Sequence, residues 1–287
     1  MSWVSINKDD CTVCEICVER CACFSEKDGE IVALANESSC NICGHCVALC
    51  PTGAITHSKM DMKNFIEIDE SIEFQTDDFI QFIRSRRSHR RFEDKPVSRV
   101  VLEKLVDVCR YAPTGSNVQN VEILVLQDRK KIQRLSELTM ESFQKAREVL
   151  EQRVAALKDA GKEIPGSMQY SLQVLQTRDQ RMVSRRVIGD TVFHNAPVVL
   201  IFHSPESTSA PKDNGVIAST TAALTARTMG LESCYIGIFE AAATYRPIVA
   251  ELNLPPGHKI FSVLIMGYPV LTYHRTVDRK PIKVRWE

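Results

Sequence analysis

Cysteine is concentrated at the start of the sequence, where nine of the eleven cysteines precede residue 51. They fall in two runs, CTVCEICVERCAC at residues 11–23 and CNICGHCVALCP at residues 40–51. Each run contains the spacing C-x2-C-x2-C-x3-C, which brings three thiolates close enough to hold three corners of one four-iron cluster. Zinc sites usually take pairs of ligands from two separate places, so this spacing favours iron–sulfur clusters over zinc.

Targeting and charge restrict the class of protein further. The N-terminal residues MSWVSINKDD lack the basic and apolar regions of an export signal, which disfavours disulfides and predicts a cytoplasmic location. No apolar stretch is long enough to predict a membrane span. Residues 1–80 carry 15 Asp or Glu and 5 Lys or Arg, although the whole chain has a net charge of zero. An acidic start on a basic remainder indicates a unit that docks charged carriers or the rest of the chain.

Residues 1–60 resemble a bacterial two-cluster 4Fe-4S ferredoxin domain, in which the last cysteine of each run ligates the other cluster. Pro51 after Cys50 matches that pattern. The resemblance implies one cluster held by Cys11, Cys14, Cys17 and Cys50, and a second held by Cys40, Cys43, Cys46 and Cys21. Ala22 stands where the family has proline, so Cys23 is an alternative to Cys21 as a ligand.

A second stretch with chemical potential is RSRRSHRRF at residues 84–92, which has five arginines in eight positions. A nucleic-acid patch is disfavoured because the chain is neutral and no aromatic residues are interleaved. A solvated charged face is a second reading. The third is a cradle for a phosphate and a flavin at a helix end, since forked guanidinium groups and a Ser hydroxyl can hold an anion from fixed directions.

The remainder of the chain alternates helical and strand-like patterns after an acidic linker at 61–78. Strands are predicted over EILVLQ, APVVLIF, SCYIGI and FSVLIMG, with one short strand within 58–79. Gly230 is predicted to cap a helix. Helices are predicted over 79–86, 98–111, 130–160, 167–187, 214–229 and 242–252. The fold class is therefore α+β: domain 1–60 is followed by an α+β sandwich over 79–287.

The arginine stretch, the loop RYAPTGSNVQN at 110–120, the motif MGYPV and the motif VDRKP at 277–281 together resemble the nitroreductase superfamily of flavoproteins over residues 79–285. This resemblance implies a homodimer with FMN at the interface and helix 215–229 as a dimer helix, although its small residues could equally pack inside one chain. No G-x-G-x-x-G dinucleotide motif is present. The implied FMN-binding residues are Arg86, Arg87, Ser88, Arg90, Pro113, Thr114, Asn117, Gln119, Ile236, Gly237 and Arg279.

The sequence predicts no catalytic side chain, and the chemistry would then belong to the flavin. Histidines are read as scattered without a paired acid: His89, His194, His203, His258 and His274. The predicted function is transfer of electrons from a low-potential donor such as ferredoxin, through two 4Fe-4S clusters and FMN, to a nitroaromatic, a quinone or an activated alkene. One alternative is an NAD(P)H-dependent nitro or quinone reductase with secondary clusters. The other is a non-catalytic electron-transfer module, which a helical roof at 130–187 would disfavour.

Overall fold

The computed structural model describes residues 2–34, 39–184 and 189–287. By its internal contacts the chain divides into two units. The first comprises Met1–Thr76 and Ser116–Val118, and the second comprises Asp77–Gly115 and Gln119–Glu287. Each unit has its own apolar core.

The first unit is built from short elements. They are β1 (Val4–Ile6), α1 (Ile16–Arg20), β2 (Phe24–Lys27), β3 (Glu30–Ala33), α2 (His45–Leu49) and β4 (Ile55–His57). β2 and β3 form a hairpin whose two turn residues, Asp28 and Gly29, both have positive φ, as a tight antiparallel turn requires. β1 pairs with β4, so the chain before the first cysteine run is tied to the chain after the second run.

The second unit has a four-stranded antiparallel sheet in the order β5-β6-β8-β7. Its elements are α3 (Thr76–Ser85), α4 (Arg99–Val108), β5 (Glu122–Leu126), α5 (Arg129–Asp159), α6 (Gly166–Ser184), β6 (Val198–Pro205), α7 (Pro211–Thr228), β7 (Glu232–Tyr235), α8 (Gly237–Ala242), α9 (Arg246–Leu252) and β8 (His258–Gly267). Asp128 caps α5 by accepting from the backbone N–H of Lys130 at 2.8 Å.

Helices cover both faces of this sheet, which confirms the predicted α+β sandwich. Alternate residues of β6 point to opposite faces, so Val199 and Ile201 join one core with α5, α8 and α9. Leu200 and Phe202 join the other core with α4 and α7. Burial of each such side chain contributes about 1.5–3 kcal/mol to the free energy of folding, compared with leaving it exposed to solvent. Among the described residues, no helix is long and apolar enough to cross a membrane.

The small residues of α7 pack within the chain. Ala218, Ala222 and Ala226 lie in the core against the sheet, and a Cβ on Gly215 would approach Phe261 Cβ to 2.9 Å. The helix ends at Thr228, and Gly230 takes the predicted capping position just beyond it. The φ of Gly230 is +76°, and the N–H of Leu231 donates to the carbonyl of Ala226 at 3.0 Å.

Four local predictions differ from the structure. The predicted helix 242–252 is not continuous, because α8 ends at Ala242 and α9 begins at Arg246. The run SCYIGI is not one strand, because β7 ends at Tyr235 and α8 begins at Gly237, which lets Phe239 and Ala242 pack into the core at helical spacing. Within 58–79 the described residues form a 3-10 turn at Met62–Asn64 and no strand. The predicted helix 167–187 is present as far as Ser184, and its last three residues lie outside the described ranges.

Candidate functional site

Four cysteines from both runs line one recess in the first unit. Apolar side chains from β1, β3 and β4 complete its wall. Cys50 follows α2, and the pairing of β1 with β4 returns the chain toward the first run. Thiolate sulfur is the donor that iron–sulfur clusters take. The four are Cys11, Cys14, Cys17 and Cys50, the set that the ferredoxin resemblance implies for one cluster.

The second set of cysteines also lies together. Burial, together with the neighbouring thiols of Cys21, Cys43 and Cys40, raises the pKa of Cys46 to about 11. Burial likewise raises the pKa of Cys23 to about 12, and its thiol contacts those of Cys21 and Cys40. Thiolates crowded in this way repel one another, and a cationic iron centre relieves that repulsion. Cys21 and Cys23 therefore both lie within this group.

The two cysteine runs share one backbone shape. Val13 and Ile42, each between the first two cysteines of a run, have φ of 54°. Glu15 and Gly44, each after the second cysteine, have φ of 60° and 73°. A left-handed conformation is costly for a β-branched residue, and its occurrence at the same position in both runs marks a wrapping imposed by the cysteine positions.

Hydrogen bonds act on individual thiols. Burial of Cys50 would raise its pKa, but the Thr52 hydroxyl and the backbone N–H groups of Thr52, Ala54 and Ile55 outweigh this and lower the pKa below its usual value. Cys50 is thus prepared to act as a thiolate ligand. Burial lowers the pKa of His57, whose Nε2 lies 3.4 Å from Cys40 Sγ.

In the second unit, α3 ends at Ser85 and the arginine-rich turn follows directly. Arg86, Arg87 and Ser88 are half-buried, and Arg90 is exposed. Arg87 Nε is buried and has no hydrogen-bond partner among the described residues. A buried guanidinium nitrogen without a partner is costly, and an anionic ligand would satisfy it.

This turn is fastened to β7. The N–H of His89 donates to the carbonyl of Ser233 at 3.1 Å. Arg227, at the end of α7, pairs with Glu232 at 3.1 Å and donates to the hydroxyl of Ser85 at 2.9 Å and to the Phe82 carbonyl. Because the Arg227 and Glu232 side chains are only 11% and 16% exposed, this pair is well shielded from solvent.

Two further residues lie against the arginine-rich turn. Burial raises the pKa of Cys234, while Arg90, a hydrogen bond from Ser88 and Arg86 oppose the increase. Tyr273, in the C-terminal segment, has its ring centroid 6.0 Å from Arg87 Cζ and 5.0 Å from the His89 ring.

The predicted loop residues occupy different settings. Pro113 and Gln119 are exposed, and the N–H of Gln119 donates to the Thr114 hydroxyl at 3.1 Å. Asn117 belongs to the first unit by its contacts, and its amide donates to the carbonyls of Asn41 and Ile42 at 2.9 Å each. Asn214, which is not among the predicted residues, holds the backbone of this loop. Its side-chain oxygen accepts a hydrogen bond from the Gly115 N–H at 2.9 Å.

The remaining predicted residues lie at the end of β7 and in the C-terminal segment. Ile236 is buried, and its N–H donates to the Val263 carbonyl at 2.9 Å. Gly237 is exposed, and a Cβ there would meet no atom within 4 Å. Arg279 is exposed in the segment after β8. The roles of these residues stay predictions.

Sequence reasoning missed several partners. The reading of all histidines as lacking acidic partners is wrong, because His89 Nε2 lies 3.7 Å from Glu232 and His258 Nε2 lies 3.9 Å from Glu122. The only sequence signal for such pairs is strand alternation, which does not specify the register between strands. Tyr273 and Arg227 carry no local motif, so nothing in the sequence separates them from other surface residues.

An α+β sandwich that carries an arginine-rich turn, preceded by a unit with two groups of thiols, defines a redox enzyme with an iron–sulfur segment. The chain belongs to the nitroreductase family, whose model matches residues 83–268. A 4Fe-4S binding domain matches residues 34–56. The predicted fused architecture is confirmed.

Known proteins resemble the second unit. The chain is 30% identical to 4-nitrobenzoate reductase of Pseudomonas putida over 200 residues, which cover 67% of this chain and 86% of that protein. A nitroreductase with bound FMN from Bacteroides fragilis NCTC 9343 has 18% identity and a TM-score of 0.52, covering 72% of this chain and 97% of that one. A BluB-like flavoprotein from Clostridium difficile 630 has 18% identity and a TM-score of 0.54, covering 71% and 94%. The two structures are similar to this chain in fold.

Proposed function

We propose that this chain is an FMN-dependent iron–sulfur oxidoreductase that takes electrons from a low-potential donor such as reduced ferredoxin and reduces a small organic acceptor. The observation that carries the proposal is the meeting of Cys50 with the first cysteine run in one recess, within a chain that belongs to the nitroreductase family. A reductase fed by NAD(P)H alone has no need of such a unit.

The residues of the second unit fit FMN. The buried Nε of Arg87 lacks a partner among the described residues, which suits a phosphate oxygen. Open space beside Gly237 leaves room for a flat ring next to the backbone. We assign the phosphate to Arg86, Arg87 and Ser88, because three half-buried donors lie on one turn. The structure from Bacteroides fragilis, which has a similar fold, contains bound FMN, and this supports FMN as the cofactor.

The first unit fits two 4Fe-4S clusters. Each of the two groups of thiols combines three cysteines of one run with cysteine from the other run, and the two runs share the same backbone shape. When bound, FMN and the clusters supply the change between one-electron and two-electron transfer. The chain's own contribution is to hold the thiolates, to fix the phosphate with arginine and to shield the acceptor site from water.

Nitroaromatics, quinones and activated alkenes are the acceptor classes that we propose, and the relative named 4-nitrobenzoate reductase supports the first of these. The helical pair α5 and α6 is our candidate for a cover over the acceptor, because α5 has 31 residues and its buried residues are mostly near its start. The alternative of a non-catalytic electron-transfer module predicts no turnover of any small acceptor.

The test is anaerobic turnover of the intact holoprotein with reduced ferredoxin, NADH or NADPH, each over the three acceptor classes. Wild type is expected to turn over with ferredoxin. The double variant Cys14→Ala/Cys43→Ala is expected to lose this activity, since each cluster loses one thiolate. It should keep FMN and should still reduce the acceptor once its flavin is reduced chemically, because the arginine-rich turn is unchanged.

The matched control is Cys109→Ala, a buried thiol outside both cysteine runs, which should retain ferredoxin turnover. If NADH or NADPH turnover survives the double substitution while ferredoxin is inactive with wild type, the proposed electron donor is wrong and the NAD(P)H alternative holds.

We also propose a homodimer. The C-terminal segment leaves apolar side chains in solvent, with Ile282 87% and Trp286 90% exposed, and Val216 and Ile217 of α7 are exposed as well. Exposed apolar surface of this kind is typical of an interface. The molar mass in solution from light scattering should equal two chains, and Ile282→Lys with Trp286→Lys should shift it toward one chain. A wild-type mass of one chain would refute the dimer.

A further inference from the structure

Three adjacent strands of the sheet place potential metal ligands at one end. Glu122 lies on β5, His203 on β6 and His258 on β8. One ligand atom from each residue lies within 4.8 Å of the other two. The two histidine Nδ1 atoms are 2.9 Å apart, and His258 Nε2 is 3.9 Å from a carboxylate oxygen of Glu122.

The strand register explains why these side chains meet. Glu122 is directly opposite His203 in the β5–β6 ladder, so both side chains point to the same face. His258 is opposite Pro205, two residues beyond His203, and therefore shares that face as a diagonal neighbour.

A β-bulge is responsible for the position of His258. The β6–β8 register shifts between Phe202, which pairs with Ser262, and His203, which pairs with Ile260, so Phe261 is the extra residue. Without this shift the pairing would move His258 by one place, onto the opposite face from His203. Bulges occur where a side chain must be re-aimed, often beside functional sites.

Burial and exposure are arranged as a metal site requires. His203 is 4% exposed and the His258 side chain 7%, whereas the Glu122 side chain is 56% exposed. The two rings are fixed by the sheet, and the carboxylate lies on the solvent side, where it can rotate toward an ion. That side also leaves a coordination position open to water.

We propose that Glu122, His203 and His258 bind a first-row divalent transition metal, with Zn²⁺ as the best fit. Imidazole nitrogen and carboxylate oxygen bind Zn²⁺ at about 2.0–2.2 Å, which places neighbouring donors in a tetrahedron about 3.3 Å apart. The two Nδ1 atoms need only open by a few tenths of an ångström from their hydrogen-bonded separation. Glu122, whose carboxylate lies 3.9 Å from the other ring nitrogen of His258, needs to rotate toward the Nδ1 atoms. A water completes the fourth position.

The metal site is separate from the arginine-rich turn. That turn is attached to β7 at Ser233, whose partner on β8 is Met266. His258 is eight residues earlier on β8, which corresponds to about 26 Å along an extended strand. The metal would therefore link β5, β6 and β8 at their shared end, away from the arginine-rich turn.

The test uses anaerobic holoprotein with its clusters intact, because free thiols would themselves bind Zn²⁺. Zn²⁺ is titrated in competition with a chromophoric chelator, and bound Co²⁺ is followed by its visible absorption. Wild type is expected to bind one Zn²⁺ per chain. Glu122→Gln and His258→Gln should weaken binding by about 100-fold or more, since loss of an outer-shell partner alone already costs about 10–100-fold.

Two matched controls separate this site from general surface binding. Glu206→Gln removes an exposed carboxylate that pairs with Lys259, and His274→Gln removes an exposed histidine of the C-terminal segment. Both should bind Zn²⁺ as wild type does. Glu122 is exposed, so its variant is expected to fold even if His258→Gln does not. Equal Zn²⁺ affinity in wild type and Glu122→Gln, or no binding by wild type, would overturn the proposal.

Discussion

Among the described residues, the apolar core of the first unit contains seven buried residues, and two of these, Cys23 and Cys46, are cysteines. The second unit has two cores of 17 and 15 buried residues on the two faces of one sheet. In the first unit, cysteine side chains therefore occupy part of the small apolar core. The hydrophobic core of a unit this small rarely supplies more than about 3–5 kcal/mol of stability.

From this difference we expect the two units to depend on different sources of stability. Metal binding contributes directly to folding when the ligands are disordered without it, so the clusters should hold the first unit together. The second unit has a continuous core, and its cofactor should add only binding free energy to an already folded sheet. The contrast can be tested by changing one source at a time.

Removal of iron should have the largest effect. Anaerobic chelation is expected to abolish amide hydrogen-exchange protection of β1 to β4, while β6 and β8 keep theirs, because their cores contain no metal ligand of the clusters. The measurement is hydrogen exchange by mass spectrometry, with iron and sulfide reconstitution as the control. If both units keep their hydrogen-exchange protection after iron is removed, the first unit does not depend on metal for its stability.

Arg87→Ala should weaken FMN binding without affecting iron content. Loss of charge-assisted hydrogen bonds costs about 1.5–3 kcal/mol, which corresponds to about 10-fold to 100-fold in Kd. Flavin fluorescence titration and iron analysis of the same sample measure both quantities. Arg91→Ala is the matched control, because Arg91 is exposed and next to the same turn. An unchanged Kd in Arg87→Ala would refute the phosphate assignment.

Arg227→Met should lower the free energy of unfolding of the second unit by about 2 kcal/mol. This is less than the loss of about 3–5 kcal/mol that is typical when a fully buried ion pair is broken. The substitution removes the arginine partner of Glu232 and frees the end of α3, because Arg227 also donates to Ser85 and Phe82. Urea denaturation of the second unit measures the change. Arg110→Met breaks an exposed pair with Asp107 and an exposed contact with the Tyr111 ring, and it should have little effect. Similar losses of stability in both variants would contradict the role of Arg227.

The smallest expected effect concerns pH. Burial lowers the pKa of His89, and Arg227, Arg86 and Arg87 lower it further while Glu232 opposes them. A lowered pKa means that neutral His89 contributes stability above its unfolded pKa of about 6.5, and that this stability is lost as the pH falls through the folded pKa. His89→Gln should therefore narrow the difference in urea midpoint between pH 7.5 and pH 5.5. If the urea midpoints of His89→Gln at the two pH values differ as much as those of wild type, His89 does not contribute to the pH dependence of stability.

Much of this protein is encoded locally and could be predicted from the sequence. The spacing of three cysteines in each run is a property of seven consecutive residues, so it predicts cluster ligation without knowledge of the rest of the fold. The strands β6 and β8 follow from continuous apolar runs, and the end of α7 follows from Gly230, because each depends on neighbours along the chain. The arginine-rich turn was predicted for the same reason.

Long-range register was decided only by the tertiary structure. The linkage of Arg227 to Glu232 and to α3, the contact of Tyr273 with Arg87, and the end of β7 at Tyr235 all depend on which elements pack together. The meeting of Glu122, His203 and His258 depends on three strands far apart in sequence and on one extra residue in β8. Such contacts are absent from local patterns because a one-residue shift in pairing moves every side chain to the other face, and only the packed core selects between the two.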